Sequence, residues 1–409
     1  MDVFDQLKLE EQKVKLNTNG WIESFAFLGF GAGVNSFIGI IVAAIIFVGT
    51  FSISFGNCNF NFPGSGSNSS GSSIASNSQS GEVAYVDAFL NNLVVTAKGS
   101  QIASISTTQT AMGVALSPDG NTAYIIYSNF DSSNILSVGI GELDVVSIQL
   151  KSVIASIPIG GLPTAVVISP NGQYAYVAFA SLSVPGSISV VDLSSNKITN
   201  TFSASSTDTG ASLFSGSYPV GLAISADGSL LYVLNNGDGI FGPGANPTYG
   251  TLSVISTKTF QTVKSISVGK DPQFLSISPD GSKLAVGNYF DSTITMIDLT
   301  SYLTNTISVQ SGVTALAFLP NGSQLLVSSG SDPALEPLPS SHKYPDNLSI
   351  VDVNSGKIVK EITTPNSVVG VTVLGNSCYF IYGYQAGLGI LDLSSYKLTT
   401  SGPMNLGTK

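Results

Sequence analysis

Three short stretches set oxygen-bearing side chains close together: Asn129-Phe-Asp131, Asn236-Gly-Asp238 and Asn288-Tyr-Phe-Asp291. Carboxylate and amide oxygens grouped in this way suit Ca²⁺, a hard cation that binds through oxygen. The same residue types also build turns, because Asn and Asp side chains accept hydrogen bonds from nearby backbone. Both readings stand, so Asn129, Asp131, Asn236, Asp238, Asn288 and Asp291 are the candidate metal ligands. A second series, Asp192, Asp298, Asp352 and Asp392, closes phrases such as Ser189-Val-Val-Asp192-Leu, where a strand gives way to a turn. These carboxylates are expected to cap the turns. The one histidine, His342, lies between Pro337 and Pro345 with no second histidine to share a metal, and is expected at the surface. No residue is assigned a catalytic role, and Ca²⁺ is the one cofactor under consideration.

The elements that carry these residues repeat. Leu116-Ser-Pro-Asp-Gly120-Asn-Thr-Ala-Tyr-Ile-Ile-Tyr127 returns from Ile168, Ile224, Ile277 and Phe318, each time as apolar alternation, a Pro-Asp-Gly type turn and a β-branched or aromatic run. Proline presets the first turn position and Asn/Asp-Gly accepts the positive φ of a tight hairpin. A third phrase ends in the aspartates above, and a fourth follows, such as Val263-Lys-Ser-Ile-Ser-Val268. Four strands in roughly forty to fifty-five residues is the period of a propeller blade. Turns at Gly120, Gly172, Gly228, Gly281, Gly322 and Gly375 mark six blades. A seventh begins at Gly81-Glu-Val-Ala-Tyr-Val-Asp87, which matches Gly172-Gln-Tyr-Ala-Tyr-Val-Ala178 but shows no inner strand before it. The C-terminal stretch from Pro403 to Thr408 resembles the start of an inner strand and is expected to complete that blade and shut the ring. The predicted fold is all-β: a seven-bladed β-propeller closed by its C-terminal strand, preceded by one transmembrane helix and a flexible linker.

These phrases resemble the YVTN-type β-propeller repeats of archaeal and bacterial surface proteins, which are related to lactonase-like propellers. The resemblance covers residues 81–409. It implies a propeller displayed at a surface, and for lactonase-like members a metal held by carboxylate and amide groups at the channel mouth. The inner strands, from Met112-Gly-Val-Ala-Leu-Ser117 to Val368-Val-Gly-Val-Thr-Val373, contain no Asp, Glu, Lys or His. An enzyme is therefore disfavoured.

Composition narrows the partners. Only 10% of the 409 residues are charged, against roughly 25% in soluble domains. All 15 basic residues are lysines and the net charge is −10, which disfavours nucleic acid because no bidentate arginine fork is present. Few carboxylates leave few groups whose protonation unfolds the chain, which suits an acidic exterior. The two cysteines, Cys58 and Cys378, are expected as unpaired thiols.

Residues 25–55 carry no charge and are densest in apolar residues from Phe37 to Phe51. At ~1.5 Å per residue the run exceeds the ~30 Å hydrocarbon core and predicts a retained membrane helix. Lys8, Lys13 and Lys15 precede it, so residues 1–24 are expected in the cytoplasm and the propeller outside. Gly29 and Gly33 form a small-xxx-small pair through which two anchors could associate. Residues 56–80 read as a Ser/Gly/Asn tether of roughly 25 to 30 Å average reach. Asn68, Asn321 and Asn347 open glycosylation sequons.

Long insertions fall at 178–186, 203–218, 235–251 and 328–347. These are second-to-third-strand or blade-to-blade connections, which emerge on one propeller face. Loops elaborated on one face of a rigid scaffold build recognition surfaces. The expected function is a membrane-anchored, externally displayed adhesion or recognition module for a protein or glycan. The alternatives are a lactonase-like or metal-dependent enzyme, and a structural component of a cell envelope or an enveloped virion.

Overall fold

A computed structural model of the chain describes residues 54–55, 58–59, 74–78, 80–87, 92–97, 100–107, 111–127, 141–180, 186–204, 218–236, 248–330, 347–365, 368–382 and 388–401. Residues 1–51 and 52–409 are separate compact units, and the described residues all belong to the second. The segment read as a membrane helix lies outside the described residues except at its last two positions, where β1 (Ser54–Phe55) pairs with β2 (Cys58–Asn59). Among the described residues no helix is long and apolar enough to cross a membrane.

Seven four-stranded antiparallel sheets make a β-propeller. Blade one is β3 (Ile74–Asn77), β4 (Glu82–Asp87), β5 (Asn92–Ala97) and β6 (Ser100–Ser106); blade two is β7 (Ala111–Leu116), β8 (Thr122–Tyr127), β9 (Gly141–Ser147) and β10 (Ser152–Ile159). Blade three is β11 (Leu162–Ile168), β12 (Tyr174–Ala180), β13 (Ser187–Asp192) and β14 (Lys197–Ser203); blade four is β15 (Tyr218–Ile224), β16 (Leu230–Asn236), β17 (Tyr249–Ser256) and β18 (Thr262–Lys270). Blade five is β19 (Pro272–Ile277), β20 (Lys283–Asn288), β21 (Thr293–Asp298) and β22 (Thr304–Ser308); blade six is β23 (Val313–Phe318), β24 (Gln324–Ser329), β25 (Asn347–Asp352) and β26 (Ile358–Thr363). Blade seven is β27 (Val368–Leu374), β28 (Ser377–Tyr382), β29 (Leu388–Asp392) and β30 (Leu398–Ser401).

The second and third strands are buried on both faces, which is why they read as continuous β-branched and aromatic runs rather than alternating ones. Each apolar cluster joins neighbouring blades; one unites Tyr124, Ile126 and Leu143 of blade two with Val177, Phe179 and Val191 of blade three. The outer strands expose most of their residues. From blade two onward each inner strand carries a bulge near its start, as between Ala111 and Gly113 or Pro272 and Phe274. Val114, Val166, Leu222, Leu275, Leu316 and Val371 then line the central channel.

Ring closure differs from the sequence expectation. The innermost strand of blade one is β3, within the tract read as tether, and residues 403–408 lie outside the described residues. Blade one is thus contiguous in sequence, and its inner place is filled from the N-terminal side. Ile74 is 2% exposed and packs with Val83, Tyr379, Ile381 and Leu388 between blades one and seven. The Ser76 and Thr372 hydroxyls are hydrogen-bonded at 2.7 Å across that junction. On the other side, Asn77 Nδ2 donates to the carbonyls of Ser117 (2.6 Å) and Pro118 (2.9 Å) in blade two.

Local chemistry explains the uniform turns. The Ser117 hydroxyl donates to Asp119 (2.5 Å) and accepts the Thr122 N–H (3.0 Å), while Asp119 accepts the Asn121 N–H (3.1 Å). Gly120 supplies the positive φ of 76°. The same arrangement recurs around Asn171, Asp227 and Asp280. At the third-to-fourth-strand turns, Asp192 accepts the N–H groups and hydroxyls of Ser194 and Ser195, and Asp392 those of Ser394 and Ser395. Asp298 and Asp352 cap their turns likewise.

Candidate recognition surface

The two faces of the ring differ. Turns from first to second and from third to fourth strands share one face and are short in every blade. The opposite face takes the other connections, among them 128–140, 181–186, 204–217, 237–248 and 330–346.

Its best-defined corner lies between blades four and five. A single residue, Asp271, links β18 to β19, with a φ of 51°. Asp tolerates this left-handed conformation better than most residues, and Pro272 follows at a strand's first position, where its missing N–H is harmless. Asp271 is 2% exposed. Its carboxylate accepts Asn236 Nδ2 (2.8 Å) and Gln273 Nε2, and its carbonyl accepts the Tyr289 N–H (2.9 Å). The sharp link sets Tyr249 opposite Lys270 in blade four and Pro272 opposite Asn288 in blade five. Asn288 Oδ1 accepts the Gly269 N–H (3.1 Å), its Nδ2 donates to Thr293 and Thr295, and Asp291 accepts the Lys270 N–H (2.8 Å). Above this network stand two large rings, Tyr249 at 65% and Phe290 at 53% exposure. Lys270 Nζ lies 5.5 Å from the first ring centroid and 6.0 Å from the second.

The candidate metal ligands fall here only in part. Asn236 and Asn288 occupy equivalent register positions, each the last residue of a second strand paired with the first residue of the inner one. Asn236, Asn288 and Asp291 do not share a partner: Asn236 bonds Asp271, Asn288 bonds Gly269, Thr293 and Thr295, and Asp291 bonds Lys270. Asn129, Asp131 and Asp238 lie outside the described residues, as do His342 and Asn68. Among the described residues no three His, Cys, Asp or Glu side chains are placed to hold a metal ion. Asn321 sits in the exposed hairpin turn of blade six, where its side chain accepts the N–H groups of Ser323 and Gln324. Asn347 opens β25 and is paired on both sides, opposite Ser329 and Thr363. Cys378 is buried, and burial pushes its thiol up to about 12.

Where six inner strands line the channel their side chains are apolar except for Gln273, whose amide binds Asp271. A second buried carboxylate, Asp144, stands in blade two at 5% exposure. It replaces the small hydroxyl residue found at the equivalent third-strand position as Ser189, Ser253, Thr295 and Ser349. Ser156 donates to it. Burial, with Glu142 adding repulsion, raises its pKa, and burial beside Asp144 raises that of Tyr127.

Acid dependence follows from these groups. Asp227, Asp280 and Asp392 are held down to about 2, first by the hydroxyls of Ser225, Ser278 and Ser394. A lowered folded pKa contributes stability that is present above the unfolded value and is lost as pH falls through the folded one. Asp144 has the opposite sign: its contribution is complete below its unfolded value and is lost as pH rises through its elevated folded value. Thermal stability is therefore expected to rise slightly as pH falls from 7 through the elevated value of Asp144, and to weaken below about pH 4 toward pH 2. Asp144→Asn is expected to raise the melting temperature at pH 7 by a few degrees and to leave it unchanged at pH 3. Equal shifts at both pH values would contradict this assignment.

The fold defines the class: a seven-bladed β-propeller with one elaborated face. No protein-family model matches the chain, and no curated protein matches it. Among solved structures, a chain titled Kuenenia stuttgartiensis hydrazine synthase is similar, with a TM-score of 0.60 and 15% sequence identity over 87% of this chain and 98% of that one. At that identity the likeness shows the fold alone.

Proposed function

We propose that the chain is a membrane-anchored β-propeller, displayed outside the membrane, that recognises a protein or glycan partner through its elaborated face and performs no catalysis. The supporting observation is the asymmetry of the ring: short turns, most of them capped by their own side chains, on one face, and on the other the varied connections with the exposed rings of Tyr249 and Phe290. Loops on a rigid scaffold are the usual location of binding function. The charge-free run at 25–55 supplies the anchor, and the lysines before it orient the propeller outward. The phrases that resemble YVTN-type repeats of surface proteins agree with such a location.

Applying the full chain to arrays of glycans and proteins and to intact cells, with and without chelator, tests this reading. Lactone hydrolysis is followed in parallel. Binding that survives chelator, without turnover, is expected. Chelator-sensitive lactone turnover would replace the reading with a metal-dependent enzyme.

A further inference from the structure

The corner between blades four and five has the chemistry of a sugar site. Among the described residues, Tyr249 and Phe290 are the two large exposed rings on this face, and their backbones are held by strand pairing and side-chain bonds. Tyr249 belongs to β17, and Phe290 lies in the four-residue turn from Tyr289 to Ser292 that joins β20 to β21. That turn is pinned by the Tyr289 N–H to the Asp271 carbonyl and by the Lys270 N–H to Asp291. With the backbone held in this way, only side-chain freedom is lost on contact, which favours stacking against a flat partner. Both rings lie within 6.0 Å of one ammonium group, so they border a common space.

Charge decides between classes of sugar. Lys270 is accompanied by the carboxylates of Asp271 and Asp291, and the whole chain carries a net charge of −10. An anionic partner would meet net negative charge both locally and at long range. A neutral sugar offers C–H faces to the rings and hydroxyls to the lysine, without that repulsion.

We infer that Tyr249, Phe290 and Lys270 form a binding subsite for a neutral glycan, the rings stacking on sugar faces and the lysine donating to a sugar hydroxyl. This deepens the recognition reading above and rests on it. The test applies the full chain, in a detergent without a sugar headgroup, to an array of neutral hexose-terminated glycans, uronate-bearing and sulfated glycans, and immobilised proteins. Binding to neutral glycans is expected to weaken about tenfold in Tyr249→Ala and in Phe290→Ala, the worth of one lost stacking contact. Tyr249→Phe should retain it. Leu303→Ala and Tyr396→Ala, exposed residues at turns of the opposite face, should leave it unchanged. Both rings are exposed, so unaltered melting temperatures will verify that the alanine variants fold.

Neutral-glycan binding indifferent to both ring substitutions overturns the subsite, as does preference for acidic glycans. Absence of all glycan binding, with protein or cell binding retained, overturns the subsite and leaves the recognition reading standing. Absence of every binding overturns both.

Discussion

Deleting Ile74–Asn77 from the full chain is expected to open the ring, lower the melting temperature sharply and promote aggregation. The four residues are the channel strand of blade one, and their loss exposes the Tyr379 and Ile381 side of blade seven. It also strands the backbone groups of β4 that face them, and unpaired strand edges invite association with other chains. Ile74→Ala alone should cost about 2–5 kcal/mol, the range for truncating a buried aliphatic side chain. Asn77→Ala should cost a further ~1–3 kcal/mol by leaving the Ser117 and Pro118 carbonyls without their donor. Removing residues 402–409 is expected to have little effect, since β3 already fills the inner place. Calorimetry of the two deletions side by side separates the alternatives. If the C-terminal deletion proved the more damaging, closure would have to come from that end.

Asp271→Ala is expected to be the most damaging single substitution at the recognition corner. It leaves Asn236 and Gln273 without their common acceptor, a loss on the order of 3 kcal/mol for bonds to a buried charged group. It also places alanine at a positive φ, which costs about 1–2 kcal/mol relative to glycine. Asp271→Gly removes the second penalty and keeps the first, so denaturant titrations of the pair should differ by about that amount. Both variants should weaken binding at Tyr249, because Asp271 sets the register that places Lys270 opposite that ring. Equal stability of the alanine and glycine variants would show that the backbone at 271 relaxes.

Much of the fold was legible because its signals are local. A Pro-Asp-Gly turn needs only neighbours, and Gly120, Gly172, Gly228, Gly281 and Gly322 all take the positive φ that the motif implies. The aspartates ending the third strands were readable as caps for the same reason. The inner strand of blade one escaped because the turn after it is irregular: Gly81 N–H reaches back four residues to the Asn77 carbonyl, whereas Gly172 reaches three, to Ser169. That extra residue and the missing proline make Ser76-Asn-Ser-Gln-Ser80 look like linker. The match of Gly81 to Gly172 held the clue, since a second strand implies a first before it. Asp144 was visible only as the exception in a column of hydroxyl residues, a comparison that requires the register of the third strands.

The recognition corner was less legible. Tyr249 and Lys270 are far apart in sequence and meet because β17 and β18 pair across a hairpin. Asn236, Asn288 and Asp291 were noticed as oxygen donors, and their placement near one another follows from equivalent positions in adjacent blades. Their roles as donors and acceptors within the fold depend on the one-residue link at Asp271, which no motif announces.

The central claim, that one face binds, is tested most directly by blocking each face in turn. Gln310→Cys lies in the connection from blade five to blade six on the elaborated face, and Thr300→Cys lies in the turn after β21 on the opposite face; both positions are exposed. With Cys58→Ser in the background and Cys378 buried, a bulky maleimide polymer should attach only at the introduced thiol. Binding of each conjugate to the partner found by the array and cell screens is then compared with that of the unmodified chain. Loss of binding on blocking at 310, with full binding retained on blocking at 300, is the expected result. Loss at 300 with retention at 310 would contradict the account.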